Sequence, residues 1–178
     1  MSVVINGSAG VTTNSGAVYN GIQAGTAVAS TSGTSIDFTG IPAWVKRVTV
    51  MLNGVSTNGS SVLQVQLGGG GAFASAGYYG NVFNWTGGSQ GLNLSSGFPL
   101  MTSASGGVAL TLSGALTLTN ISGTTWIASG TTAPLASNGN ACACAGNVNI
   151  GVTLDRIRIT TVNGTDTFDA GSINILYE

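Results

Sequence analysis

Val108-Ala109-Leu110-Thr111-Leu112-Ser113-Gly114-Ala115-Leu116-Thr117-Leu118-Thr119 alternates between apolar and small or hydroxylated side chains. Val108, Leu110, Leu112, Leu116 and Leu118 share one parity, and Ala109, Thr111, Ser113, Ala115, Thr117 and Thr119 the other. A helix would scatter those leucines around its axis, whereas a strand gathers them on one buried face. Gly114 interrupts the apolar parity and marks either a bulge or a bend where one sheet passes into another.

The same period recurs outward from this stretch. Val48, Val50 and Leu52 alternate with Thr49 and Met51, and Leu63, Val65 and Leu67 with Gln64 and Gln66. Val148, Ile150, Val152 and Leu154 follow the rule, after which Ile157 and Ile159 take the apolar parity. One extra residue near Asp155-Arg156, a β-bulge, produces such a slip. The last strand sets Ile173, Ile175 and Tyr177 against Ser172, Asn174 and Leu176. Six Asn-Gly pairs, at 6, 20, 53, 58, 138 and 163, suit the positive dihedrals of tight hairpin turns. No eleven-residue window combines helical periodicity with good helix formers. The fold expected is all-β, an antiparallel two-sheet sandwich of jelly-roll type with an extended N-terminal arm.

Residues 34–178 hold enough alternating strands for one β-sandwich domain. Residues 1–33 are mostly Gly, Ala, Ser, Thr and Asn, with Tyr19 as their one aromatic. Such a segment buries too little apolar surface alone, so it is expected to be an arm used in assembly. Residues 68–107, rich in glycine and aromatics, read as long loops or short hairpins mounted on the sandwich.

Charge narrows the function classes. Residues 48 to 154 contain no Asp, Glu, Lys, Arg or His, and the whole chain is only 5% charged with a net charge of −1. General acid–base chemistry needs a titratable group near the substrate, and metal sites need carboxylates, imidazoles or thiolates. No catalytic residue, metal or cofactor is expected. Four basic residues are too few to neutralise a row of phosphates, so nucleic-acid binding is not expected. No apolar run reaches the roughly 20 residues that span a bilayer, and the start MSVVINGSAG lacks the plan of a signal peptide. The expectation is a chain made in a cytoplasm, without membrane insertion.

Tyr78, Tyr79, Asn81, Asn84 and Trp85, within a run from Gly77 to Gly88, are the candidates for recognition. Aromatic faces stack on sugar rings and Asn amides bond hydroxyls, neither of which requires charge; the same aromatics also suit a core or a subunit interface. Cys142 and Cys144 project to one face of a strand with Cα atoms about 6.5–7 Å apart, a strained span for a disulfide. Two buried thiols, a bridge between subunits, or a share in a metal site all remain open. All nine charged residues, Asp37, Lys46, Arg47, Asp155, Arg156, Arg158, Asp166, Asp169 and Glu178, lie at the two flanks. They would form a polar cluster if the strand at 44–52 neighboured that at 156–160, and structural ion pairing is the plainer reading. Asn163 to Asp169 offers oxygen ligands, although Asn and Asp capping their own turns explains it equally well.

Two stretches carry a resemblance. Thr34-Ser35-Ile36-Asp37-Phe38-Thr39-Gly40-Ile41-Pro42-Ala43-Trp44-Val45-Lys46-Arg47-Val48-Thr49-Val50 opens the domain. Leu154-Asp155-Arg156-Ile157-Arg158-Ile159-Thr160, followed by Asp166-Thr167-Phe168-Asp169-Ala170-Gly171-Ser172-Ile173-Asn174-Ile175, closes it. Both resemble the C-terminal β-sandwich module of tail-fibre and related virion proteins of tailed bacteriophages, and Ile5-Asn6-Gly7-Ser8-Ala9-Gly10 resembles their glycine-rich lead-in. The resemblance covers residues 34–67 and 152–178. It implies a non-enzymatic virion structural protein, a homotrimer on the particle surface; the arm of residues 1–33 is expected to join it to other virion proteins. The expected role is a tail-fibre or tail-tip component contacting a host surface glycan; the alternative is a capsid decoration protein that binds no receptor.

Overall fold

A computed structural model describes residues 3–6, 10–13, 18–19, 21–84, 90–102, 111–134 and 141–178. Strands β1 (Val3–Asn6), β2 (Gly10–Thr13) and β3 (Val18–Tyr19) form a small antiparallel sheet. They are followed by β4 (Gln23–Ala24), β5 (Val28–Ala29), β6 (Ser35–Thr39), β7 (Arg47–Thr57), β8 (Leu63–Gly69) and β9 (Ala72–Phe73). Next come β10 (Tyr79–Asn84), β11 (Gln90–Leu94), β12 (Phe98–Pro99), β13 (Leu112–Ser122) and β14 (Thr125–Pro134). The chain ends with β15 (Cys142–Asn149), β16 (Arg156–Thr161) and β17 (Phe168–Tyr177).

Two antiparallel sheets pack face to face, the sandwich that the alternating pattern predicts. The larger runs β11-β10-β15-β14-β13-β7-β17-β4, with β5 also on β17; the smaller runs β12-β8-β16-β6, with β9 on β8. Their inner faces supply the core. Val48, Val50, Leu112, Leu116, Leu118 and Ile173 of the larger sheet are sealed from solvent, as are Val65, Leu67, Phe98, Ile157 and Ile159 of the smaller. These follow the parities read from the sequence. Val108 and Leu110 lie outside the described residues, Val152 is 42% exposed in the turn after β15, and on β8 the alternate residues Gln64 and Gln66 are buried as well. Residues 21–33, within the expected arm, lie along β17: Ser30 is fully buried and its Oγ donates to the Ala170 carbonyl at 2.8 Å.

Gly114 is a bulge. The β13–β7 register shifts between Leu112 and Gly114, and Gly114 has a φ of 140°, which an L side chain rarely adopts. Asn53-Gly54 lies across from that bulge inside β7, with the Gly54 amide bonded to Ser113 Oγ at 2.9 Å, so this Asn-Gly pair shapes a strand irregularity rather than the hairpin turn expected. Asn163-Gly164 does form a turn, between β16 and β17.

Three further expectations are corrected. The parity slip after Leu154 is a crossover between sheets: β15 ends at Asn149, Gly151 turns the chain at a φ of 70°, and β16 belongs to the opposite sheet. A crossover resets which parity faces the core just as a bulge does, so the two leave the same mark in sequence. The flanking charges do not form one cluster, because β7 and β16 lie in different sheets, but the structural ion pairing expected of them is present. Asp37 and Arg158 instead stand opposite each other on β6 and β16 and pair through two bonds of 2.8 and 2.7 Å, while Arg47 pairs with Glu178. Finally, β10 and β11 of the glycine-rich region are integral strands of the larger sheet, not an appendage.

Candidate functional site

The alternation of β10 decides which of its aromatics can meet a ligand. Gly80 and Val82 face inward, whereas Tyr79, Asn81 and Phe83 face outward. Gly80 stands opposite Gly146 on β15, and a Cβ at either position would press on neighbouring backbone, at 2.4 Å from the Gly97 carbonyl and 2.3 Å from that of Tyr79. The two missing side chains admit the Phe98 segment beneath the strands and hold β10 flat against β15.

Tyr78, just before the strand, turns the other way. Its ring is 3% exposed and meets Phe98 edge-on at 5.0 Å, and its hydroxyl accepts the Leu67 amide at 2.7 Å. Burial pushes its pKa up to about 12, against the smaller opposing pull of the Leu67 hydrogen bond. Tyr78 is therefore a core residue, which corrects its place among the recognition candidates.

Tyr79, by contrast, is 72% exposed and Phe83 39%. Asn81, exposed, lies between them on the strand, so the two rings are about 13 Å apart along it with an amide midway. Asn93 of β11 stands directly opposite Asn81, and Asn147 of β15 opposite Tyr79. Two contiguous depressions of ≈ 340 and ≈ 440 Å³ run along this face and share Asn81 and Asn93; Tyr79 lines the first and Phe83 the second. The floor of the second includes the small residues Gly91, Ala143 and Ala145. Asn84 is half-buried at the strand end, away from this row. Trp85 lies outside the described residues.

Asn93 and Asn147 escaped the sequence reading. Their signal is a pairing rather than a motif, because β10 meets β15 across more than fifty residues of chain. Such an arrangement can do one thing well: hold an uncharged ligand with apolar faces and hydroxyls, by ring stacking flanked by carboxamide donors and acceptors. Among the described residues, no charged side chain lines either depression.

The other candidates lie elsewhere. Cys142 and Cys144 are on the inner face of β15, 2% and 4% exposed, and no disulfide joins them. Burial raises both pKa values, that of Cys144 to about 12, where Thr132 partly opposes and the neighbouring Cys142 adds to the shift. Both thiols face the core of their own chain, which matches the reading of two buried thiols and does not place them for a bridge between subunits. Asp166 accepts the Ser61 amide at 2.9 Å and the Asn163 side-chain amide at 2.6 Å, and Asn163 Oδ1 accepts from Thr165 and Asp166, so this segment caps its own turn. Neither a family model, nor a curated protein, nor a solved structure matches the chain, so its function has to be argued from the geometry of this face.

Proposed function

We propose that the chain is a virion structural protein of a tailed bacteriophage, a tail-fibre or tail-tip component that contacts an uncharged glycan on the host surface through the outer face of β10 and β11. The observation that carries the ligand class is the exposed Tyr79 ring, in line with Asn81 and Phe83 on a strand face free of charge. The resemblance of residues 34–67 and 152–178 to phage virion modules supports the particle. In this reading the protein is a homo-oligomer, residues 1–33 join it to other virion proteins, and it performs no catalysis. Its carboxylates support the last point: Asp37, Asp155 and Glu178 are paired with arginines, and Asp166 and Asp169 accept hydrogen bonds from neighbouring side chains.

Binding of the labelled protein to bacterial cells and to an array of neutral and acidic bacterial polysaccharides tests this. Stacking that covers roughly 60 Å² of ring is worth about 1.5 kcal/mol, so Tyr79→Ala should weaken binding about tenfold. A folded protein that labels neither cells nor polysaccharides would move the assignment to the capsid-decoration alternative. Retention only of acidic polymers would overturn the uncharged ligand.

A further inference from the structure

The two outer faces of the sandwich differ in charge. The smaller sheet presents Asp37, Arg156 and Arg158 to solvent, and both arginines lie over the Phe73 ring, at 5.7 and 4.1 Å from its centroid. This is an ordinary solvated surface. On the larger sheet, strands β17, β7, β13, β14 and β15 present no charged side chain between Arg47 at one end and Asp169 at the other.

What that face carries instead follows from the register. Thr49, Thr117, Ser129 and Ala145 form one row across four strands, and Met51, Ala115, Thr131 and Ala143 the next. Thr49 and Thr117 hydroxyls stand 3.5 Å apart, and Ile127 is 41% exposed beside them. Apart from Met51, the side chains of these two rows are small, with Ile127 beside them, and another sheet could lie over them at about 10 Å. Hydroxyls and carboxamides both donate and accept, so the face complements itself, and without charge it does not repel its own copy. Depletion of charge is also what distinguishes the core of an interface from open surface.

From these observations we infer that the outer face of β17, β7, β13, β14 and β15 is the contact surface for a second copy of this chain. Five strands span about 24 Å and seven residues about 23 Å, so a pair of such faces covers roughly 1,100 Å², above the ~1,000 Å² expected of a specific interface. The β10–β11 groove adjoins this surface through Ala143 and Ala145 of β15, with Tyr79, Asn81, Phe83 and Asn93 on the strands beyond it. The inference rests on the homo-oligomer part of the proposed function and names the surface that part requires.

Ser129→Lys is the test, because it sets a charge near the centre of the face in every copy. Thr165→Lys, in the exposed β16–β17 turn, is the control. By sedimentation velocity the unaltered protein should run as an oligomer of the 17.5 kDa chain, as should Thr165→Lys, while Ser129→Lys should dissociate with self-affinity reduced about 100-fold or more. Far-UV circular dichroism checks that each variant is folded, and Thr117→Lys, one strand over, repeats the test if Ser129→Lys is not. An oligomer indifferent to both lysines would overturn this surface and leave the homo-oligomer reading standing. A wild-type chain that stays at 17.5 kDa at its highest soluble concentration would overturn both.

Discussion

Tyr78→Phe removes one oxygen from the protein and isolates a single hydrogen bond. The Tyr78 hydroxyl accepts the Leu67 amide at 2.7 Å, in a site where the ring is 3% exposed and Leu67 fully buried. Its longer contact to the Leu67 carbonyl, 3.4 Å, is expendable because that carbonyl also accepts the Ala74 amide at 2.9 Å. The variant therefore strands one donor, the Leu67 N–H, while the Phe98 contact and the packing of the ring survive. A buried donor left without a partner costs about 1–3 kcal/mol, which in a chain of this size corresponds to a fall in Tm of roughly 4–8 °C at the middle of that range. Urea denaturation should show a lower midpoint at constant slope. Tyr79→Phe, one residue on, should change stability by less than about 0.5 kcal/mol, because its hydroxyl is on an exposed ring. Equal stability of the two variants, or a larger loss at Tyr79, would refute the assignment of these neighbours to opposite faces.

Two further perturbations follow from the same core. Gly114→Ala would place a Cβ 2.3 Å from the Thr131 carbonyl oxygen at a φ of 140°, so it should cost about 2–4 kcal/mol in thermal or urea melts, and a neutral result would remove the bulge. Tyr78 and Cys144 are acids whose folded pKa values, both about 12, lie above 10.0 and 9.0, so their contribution is complete below about pH 9 and lost as pH rises toward 12; urea midpoints should fall across that window, less steeply in Tyr78→Phe.

The core faces were legible because burial imposes a parity on every long strand. Val48, Val50, Leu63, Val65, Leu67, Ile173 and Ile175 are buried where alternation places them. What parity cannot carry is the sheet to which a strand belongs. At Gly151–Asp155 the chain crosses the sandwich, and the new parity looks like one inserted residue, since either event swaps the face that meets the core. Ion pairing of the flanking charges was legible but its partners were not, for the same reason: Arg158 finds Asp37 only because β6, not β7, is the neighbour of β16. On β10, sequence singled out Tyr79 and Asn81 by residue type. It could not separate Tyr78 from them, because only the start of β10 at Tyr79 and the Phe98 ring packed below decide which tyrosine turns inward.

The groove and the charge-free face bear on one another through β15. Its outer row supplies Ala143 and Ala145 both to the floor beneath Phe83 and to the surface assigned to a second copy. In the proposed role, a shallow open groove with one well-exposed ring, worth about 1.5 kcal/mol, would hold a single glycan segment weakly. A repeated surface polysaccharide changes that arithmetic, because copies fixed side by side turn the second contact into an intramolecular one and raise overall avidity by about 10²–10⁴. Ser129→Lys leaves Tyr79, Asn81, Phe83 and Asn93 untouched, so as a monomer it should keep the weak affinity for a short oligosaccharide and lose retention on cells. Tyr79→Ala should lose both while remaining an oligomer. If Ser129→Lys dissociates and still holds cells as the parent does, attachment does not draw on multivalency, and the groove alone must bind more tightly than one exposed ring explains.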